Sequence, residues 1–180
     1  KIDLNQIIGK NKALISVFSG SRKSEISVLM PILLDFIKLM NEKYADMIYV
    51  FHSTKEYSQL VRSFINQSKL SNCEIVSDDK IKSHILQKSI FAVAKSGTVS
   101  LEISNAKIPS IIIYKMNFIN FLIVKSLVKT KFANIINIAA NKEIIPELLQ
   151  SDCSSKNIFK HVSSFLEDPN KIKEQLNLTQ

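Results

Sequence analysis

Glycine occurs only 3 times in this 180-residue chain, at Gly9, Gly20 and Gly97. Two of the three stand in polar loops, each directly after a short apolar run. Ser19-Gly20-Ser21-Arg22 follows residues 13–18, and Ser96-Gly97-Thr98 follows residues 90–94. Glycine tolerates backbone shapes and close ligand approach that a side chain forbids. Beside the first, Arg22 offers a planar fork of donors that suits phosphate oxygens. Beside the second, the Ser96 and Thr98 hydroxyls and the N–H groups of a helix starting near Thr98 suit an anion. Glu102 follows Thr98 by one helical turn, on the same face. Its carboxylate can accept hydrogen bonds from the two hydroxyls of a ribose. Each feature also has an ordinary explanation: a solvated Arg or Glu, or hydroxyls that cap a helix. The loops are neither the three-glycine dinucleotide fingerprint nor the Gly-Lys-Ser/Thr phosphate loop.

A third element is Asn137, in Ile136-Asn137-Ile138. Its amide donates and accepts at once, which suits a sugar or a phosphate, although a loop Asn is more often a turn residue. Residues 117–132 combine many apolar side chains with Lys125, Lys129 and Lys131. Apolar residues on nearly every face favour a core helix, and an interfacial helix in contact with acyl chains is the other reading.

The elements that position these residues follow from apolar spacing. Short apolar, β-branched runs predict strands at 13–18, 47–51, 73–76, 90–94 and 110–114, with a shorter one at 133–136. Helical spacing predicts helices beginning near residue 24 and at about 55–69, 79–88, 98–108, 117–130, 143–150, 155–167 and 169–177. Pro31 is expected in the first turn of its helix or at a kink near its start. Continuous apolar strands alternating with helices predict an α/β fold, a doubly wound parallel sheet of Rossmann-like type. The absence of an internal repeat or linker predicts one domain over residues 1–180. In such a sheet ligands bind beyond the carboxyl ends of the strands, where both glycine loops fall.

Composition limits the alternatives. The chain is 46% hydrophobic and 22% charged, which is enough apolar residue for a core and too much for a disordered chain. The net charge of +8 admits phosphorylated small molecules, anionic lipid or nucleic acid. The lysines are scattered, and no dense basic run or RNA-binding aromatic signature speaks for nucleic acid. Cys73 and Cys153 form no Cys-x-x-Cys pair, which predicts a reduced, intracellular chain without a disulfide framework. His52, His84 and His161 show no metal-ligand spacing, so no metal is expected, and each is expected at the surface or partly buried. No run of about 20 apolar residues predicts a membrane span. Residues 1–6 do not resemble a secretory signal, and the lack of an initial Met fits a piece of a longer protein.

Taken together, these motifs resemble the lipid-A-disaccharide synthases. Gly20-Ser21-Arg22 with Glu25 and Pro31 is similar to that family's Gly-Ser-Arg-x-x-Glu…Pro segment, and Ser96-Gly97-Thr98-x-x-Leu101-Glu102 to its Ser-Gly-Thr-x-x-Leu-Glu segment. Tyr114-Lys115-Met116, Leu127-Val128-Lys129-Thr130, Asn137 and Glu143-Ile144-Ile145-Pro146-Glu147-Leu148-Leu149-Gln150 follow in the family's order. The resemblance implies the C-terminal, nucleotide-binding half of a GT-B glycosyltransferase that joins UDP-2,3-diacylglucosamine to 2,3-diacylglucosamine 1-phosphate, releasing UDP. It implies that Gly20, Ser21, Arg22, Ser96, Gly97, Thr98, Glu102 and Asn137 bind the donor, with Arg22 and Asn137 at its phosphates or sugar and Glu102 at the ribose. It places the general base and the acceptor site in an N-terminal half, and implies no cofactor and no metal. Work at an anionic membrane surface, peripheral to the cytoplasmic face of the inner membrane, is implied too, with no nucleic acid partner and a homodimer left open. The chain departs from the family pattern at Ser19 and Ile136, where the family has Pro, and at Asn141-Lys142, where it has Gly-Arg. The rival readings are the nucleotide domain of another UDP-sugar enzyme, such as a 2-epimerase or a different GT-B transferase, and a non-catalytic basic binding module.

Overall fold

Strand β1 (Ala13–Phe18) pairs in parallel with β2 (Met47–His52) on one side and β4 (Phe91–Lys95) on the other. β3 (Cys73–Val76) extends the sheet beyond β2, and β5 (Ser110–Tyr114) and β6 (Glu147–Leu149) extend it beyond β4. The order is therefore β3-β2-β1-β4-β5-β6, with every neighbouring pair parallel. This is the doubly wound, Rossmann-like arrangement, and strand order reverses between β1 and β4. The computed structural model describes residues 12–116 and 131–179. The helix predicted at 117–130 lies outside them.

The helices are α1 (Lys23–Lys43), α2 (Ser58–Ser68), α3 (Asp79–Lys88), α4 (Val99–Asn105), α5 (Ile135–Ala140), α6 (Ser155–Glu167) and α7 (Pro169–Leu178). Alternation along the strands decides what each sheet face buries. Ile15, Val17, Tyr49 and Phe51 pack with α1, α2 and α6. Leu14, Ile48 and Val50 face the opposite way, onto Ile85 of α3, and Ala92, Ala94 and Ile112 pack with Ile103 of α4. Along α1, Ile26, Leu29, Met30, Leu33, Ile37 and Met40 are completely buried, at the three- and four-residue spacing of one helix face. Gln175 pins α7 to the sheet. It is buried, its Oε1 accepts from the Ser110 N–H at 2.7 Å, and its Nε2 donates to the Ser110 carbonyl at 2.8 Å.

Two local expectations are corrected. Residues 133–136 form no strand. Asn134 caps α5 by accepting from the Ile136 N–H at 2.8 Å, and the helix runs on from there. The sixth strand lies instead at Glu147–Leu149, inside the predicted helix 143–150. Glu and Leu favour a helix, but Pro146 cannot donate inside one, and pairing of Ile112–Tyr114 with Glu147–Leu149 takes the segment into the sheet. Pro31 stands inside α1, on its solvent side, beyond the first turn that was one of its two expected places.

Candidate nucleotide-binding cleft

The register of the central strands decides where the two glycine loops meet. Phe18 pairs with Ala94, so the segments leaving β1 and β4 emerge side by side at the carboxyl edge. A cleft opens there in two adjoining compartments, of about 560 and 320 Å³. Phe18, His52, Asp79, Lys82 and Glu102 line both. The smaller also touches Gly20, Ser21, Ser96, Gly97 and Thr98. Six of the eight residues singled out by sequence therefore line one cleft. Arg22 and Asn137 do not.

Each loop has a distinct internal logic. Gly20 takes φ +108°, and a Cβ there would lie 2.8 Å from the Cβ of Glu25. The space is used because Glu25 folds back over the turn, where its Oε2 accepts from the Ser21 N–H at 3.1 Å. Its Oε1 lies 2.9 Å from the Lys95 ammonium and 3.9 Å from the Arg22 guanidinium. Burial raises the Glu25 pKa, but Lys95, the Ser21 N–H and Arg22 outweigh it, so the carboxyl titrates below its ordinary value. Arg22 itself stands at the rim, with its side chain 80% exposed.

Gly97 differs. A Cβ there would meet nothing within 4 Å, so nothing inside the described structure requires a glycine. Helix α4 is only 7 residues long, and Thr98, its N-cap, makes no side-chain capping bond. Among the described residues the backbone N–H groups of Gly97 and Thr98 have no acceptor. The Ser96 hydroxyl is committed to the Ala133 carbonyl at 2.6 Å, which ties the turn to the segment before α5. The Glu102 carboxylate is exposed at the cleft wall, and no hydrogen bond or ion pair engages it among the described residues.

Asn137 is held inside the fold rather than in the cleft. It is completely buried. Its Nδ2 donates to the Ile145 carbonyl and to Glu147 Oε1, both at 2.7 Å. Its Oδ1 accepts from the N–H groups of Ile144 at 2.8 Å and Ile145 at 2.9 Å. Two donated and two accepted bonds exhaust an amide. Glu147 also accepts from the Ala133 N–H at 2.6 Å and the Asn134 N–H at 3.0 Å. Asn137 and Glu147 thus hold the segment on which Ser96 rests. Asn141, where the resembled family has Gly, closes α5 at φ +49°, a left-handed position that Asn tolerates best after Gly.

Among the cleft residues that sequence reasoning did not single out are Lys95 and His52. His52 was expected at the surface or partly buried, yet it is buried with its ring stacked on Phe18 at 4.2 Å. Hydrogen bonding decides its tautomer. Ser89 donates to the Ile85 carbonyl, so it accepts from Ser16, and Ser16 then accepts from His52 Nε2–H at 2.8 Å. Nδ1 is left as an unprotonated, buried atom without a partner. Burial, with a smaller contribution from Lys82, pushes the His52 pKa down to about 3. The unfolded chain takes up this proton near pH 6.5, and the folded chain refuses it until about pH 3. Stability should therefore fall as pH drops from about 6.5 towards 3. In urea titrations across that range His52→Leu should flatten the slope, and an unchanged slope would show that His52 protonates freely in the fold. The sequence signal that could have exposed the burial was the period-two alignment of Ser16 and Phe18 with Ile48, Val50 and His52.

Among the described residues there is no group of three or more His, Cys, Asp or Glu side chains placed to hold a metal ion, and no helix is long and apolar enough to cross a membrane.

An all-parallel sheet with a polar cleft at its switch point gives the chain the Rossmann-like fold of GT-B-type domains. In fold it matches UDP-GlcNAc 2-epimerase from Neisseria meningitidis, solved bound to UDP-GlcNAc (TM-score 0.66, 14% identity, 97% of this chain and 41% of that one). It also matches the C-terminal domain of a glycosyl transferase group 1 family protein from Francisella tularensis (TM-score 0.60, 14% identity, 99% of this chain and 91% of that one). Sequence narrows the class further. The model of the lipid-A-disaccharide synthetase family matches residues 3–180, and the chain belongs to that family. The lipid-A-disaccharide synthase of Sulfurihydrogenibium sp. is 33% identical over 176 residues, covering 93% of this chain and 45% of that protein. That of Rickettsia prowazekii is 32% identical over 165 residues, covering 91% and 43%. The chain spans less than half the length of these curated relatives.

Proposed function

We propose that this chain is the donor-binding half of a glycosyltransferase of lipid A biosynthesis. The reaction would join UDP-2,3-diacylglucosamine to 2,3-diacylglucosamine 1-phosphate, giving the lipid A disaccharide 1-phosphate and UDP. The observation that carries this reading is the cleft itself: in a chain of this family, the Ser96–Gly97–Thr98 turn and the unengaged Glu102 carboxylate share one cavity at the switch point. The free N–H groups of the turn would take the diphosphate, and Gly20 and Ser21 would form its opposite wall. Glu102 would accept from the two ribose hydroxyls. Arg22, exposed at the rim, is free to swing onto a phosphate. As the glycosidic bond to UDP breaks, negative charge grows on the leaving diphosphate, and fixed donors aimed at it lower the barrier. Asn137 serves this arrangement indirectly, by holding the segment that receives Ser96.

The general base, the acceptor site and the contact with the cytoplasmic face of the inner membrane would belong with an N-terminal half, in a protein that acts alone or as a homodimer. The 180-residue chain should therefore form no disaccharide by itself, and measurable product from it would overturn this division of labour.

Titration with UDP tests the donor site. The chain should bind UDP, with Glu102→Ala weakening it about tenfold or more and abolishing preference for UDP over 2′-deoxy-UDP. Arg22→Ala should weaken UDP less than Glu102→Ala. A folded chain that does not bind UDP would exclude the proposed site.

A further inference from the structure

Lys95 is a cleft residue for which the resemblance supplied no role. It ends β4, immediately before the Ser96–Thr98 turn, and its side chain is only 19% exposed. Two neighbours fix its position. Its Nζ lies 2.9 Å from Glu25 Oε1 and 5.3 Å from the centre of the Tyr114 ring. An ammonium carries three donors, and Glu25 uses one. Among the described residues no other polar protein atom takes the remaining two. Lys95 lines the same compartment as Gly20, Ser21, Gly97 and Thr98.

The charges in this corner do not cancel. Glu25 is shared between Lys95 and Arg22 and is also served by the Ser21 N–H, leaving two cations against one carboxylate where β1 and β4 end. Arg22 lies exposed at the rim, 3.9 Å from Glu25, whereas Lys95 is set between a carboxylate and a ring. A partly buried cation held this way keeps its direction without the entropy cost an exposed lysine would bear on binding.

We propose that Lys95 is a further ligand-binding residue, whose ammonium meets the diphosphate of the nucleotide while Glu25 and the Tyr114 ring hold it in place. This rests on the reading of the cleft as a UDP-sugar site. It assigns the cleft a partly buried cation where the motif-based reading provided backbone N–H groups and the exposed Arg22. Glu25 becomes a positioning residue that serves both loops, capping the Ser21 turn with one oxygen and orienting Lys95 with the other.

The test compares UDP with uridine, which shares base and ribose but carries no phosphate, by NMR titration of the 180-residue chain. Lys95→Ala should weaken UDP about tenfold and leave uridine unchanged, and Lys95→Arg should recover most of the loss. Equal weakening of UDP and uridine would overturn the proposal, since it would mean a disturbed cleft rather than a lost phosphate contact. The double variant Lys95→Ala/Glu25→Gln removes both charges. Recovery of UDP affinity in it would also overturn the proposal, because Lys95 would then only neutralise Glu25. Continued weakness supports it. If the unmodified chain binds uridine and UDP equally, the diphosphate reading of the cleft fails before Lys95 is at issue. If it prefers UDP and Lys95→Ala does not change that preference, the Lys95 assignment alone fails.

Discussion

Asn137→Ala should unfold the chain far more easily, by about 3 kcal/mol, as read from urea or thermal denaturation. The substitution removes four hydrogen bonds at once and strands the Ile144 and Ile145 N–H groups and the Ile145 carbonyl, while Glu147 Oε1 keeps the Asn134 N–H. Each buried group left without a partner costs on the order of 1–3 kcal/mol, offset in part by relaxation. Asn137→Asp should be nearly as damaging, because it replaces the Nδ2 donor with an oxygen directed at the Glu147 carboxylate 2.7 Å away. UDP affinity of the fraction that remains folded should change only modestly. A variant of native stability with abolished UDP binding would restore Asn137 as a ligand contact.

The two loop glycines should respond in opposite ways to the same methyl group. Gly20→Ala should cost roughly 2–3 kcal/mol of stability, since its φ of +108° strains any side chain. The new Cβ would also meet the Glu25 Cβ at 2.8 Å, and that atom is anchored on α1 and cannot swing aside. Gly97→Ala adds its methyl to open space, so stability should stay within about 0.5 kcal/mol of the parent. UDP should nevertheless bind Gly97→Ala about tenfold more weakly, because the methyl enters the compartment assigned to the diphosphate. Thermal melts with and without UDP separate the two effects. Unchanged UDP binding in Gly97→Ala would remove the turn from the site.

Much of this arrangement was legible before any coordinates, for physical reasons. β1, β2, β4 and β5 are apolar runs buried on both faces for most of their length, and such runs carry their own signature. The loops stood out because glycine is scarce and because parallel sheets bind ligands at one edge. What stayed hidden depended on partners distant in sequence. Whether 147–149 becomes strand or helix turns on pairing with β5, about which Glu147-Leu148-Leu149 is silent. Asn137 and a ligand-binding Asn look identical until the peptide groups of Ile144 and Ile145 are seen against it. Lys95 resembled any lysine at a strand end until Glu25, 70 positions earlier in the chain, was found beside it.

The placement of β1 beside β4 also governs when binding capacity arises. These two strands are adjacent in space but separated in the chain by α1, β2, α2, β3 and α3. Their alignment is a long-range event that comes only after a large loop has closed, and such closures are slow steps in folding. Before β4 docks, the Gly20 turn lacks the Lys95 that neutralises its Glu25, and the Gly97 turn has no neighbour. On the proposed reading of the cleft, recognition should therefore arise as the centre of the sheet is completed, and bound nucleotide should draw the folding equilibrium towards the finished domain.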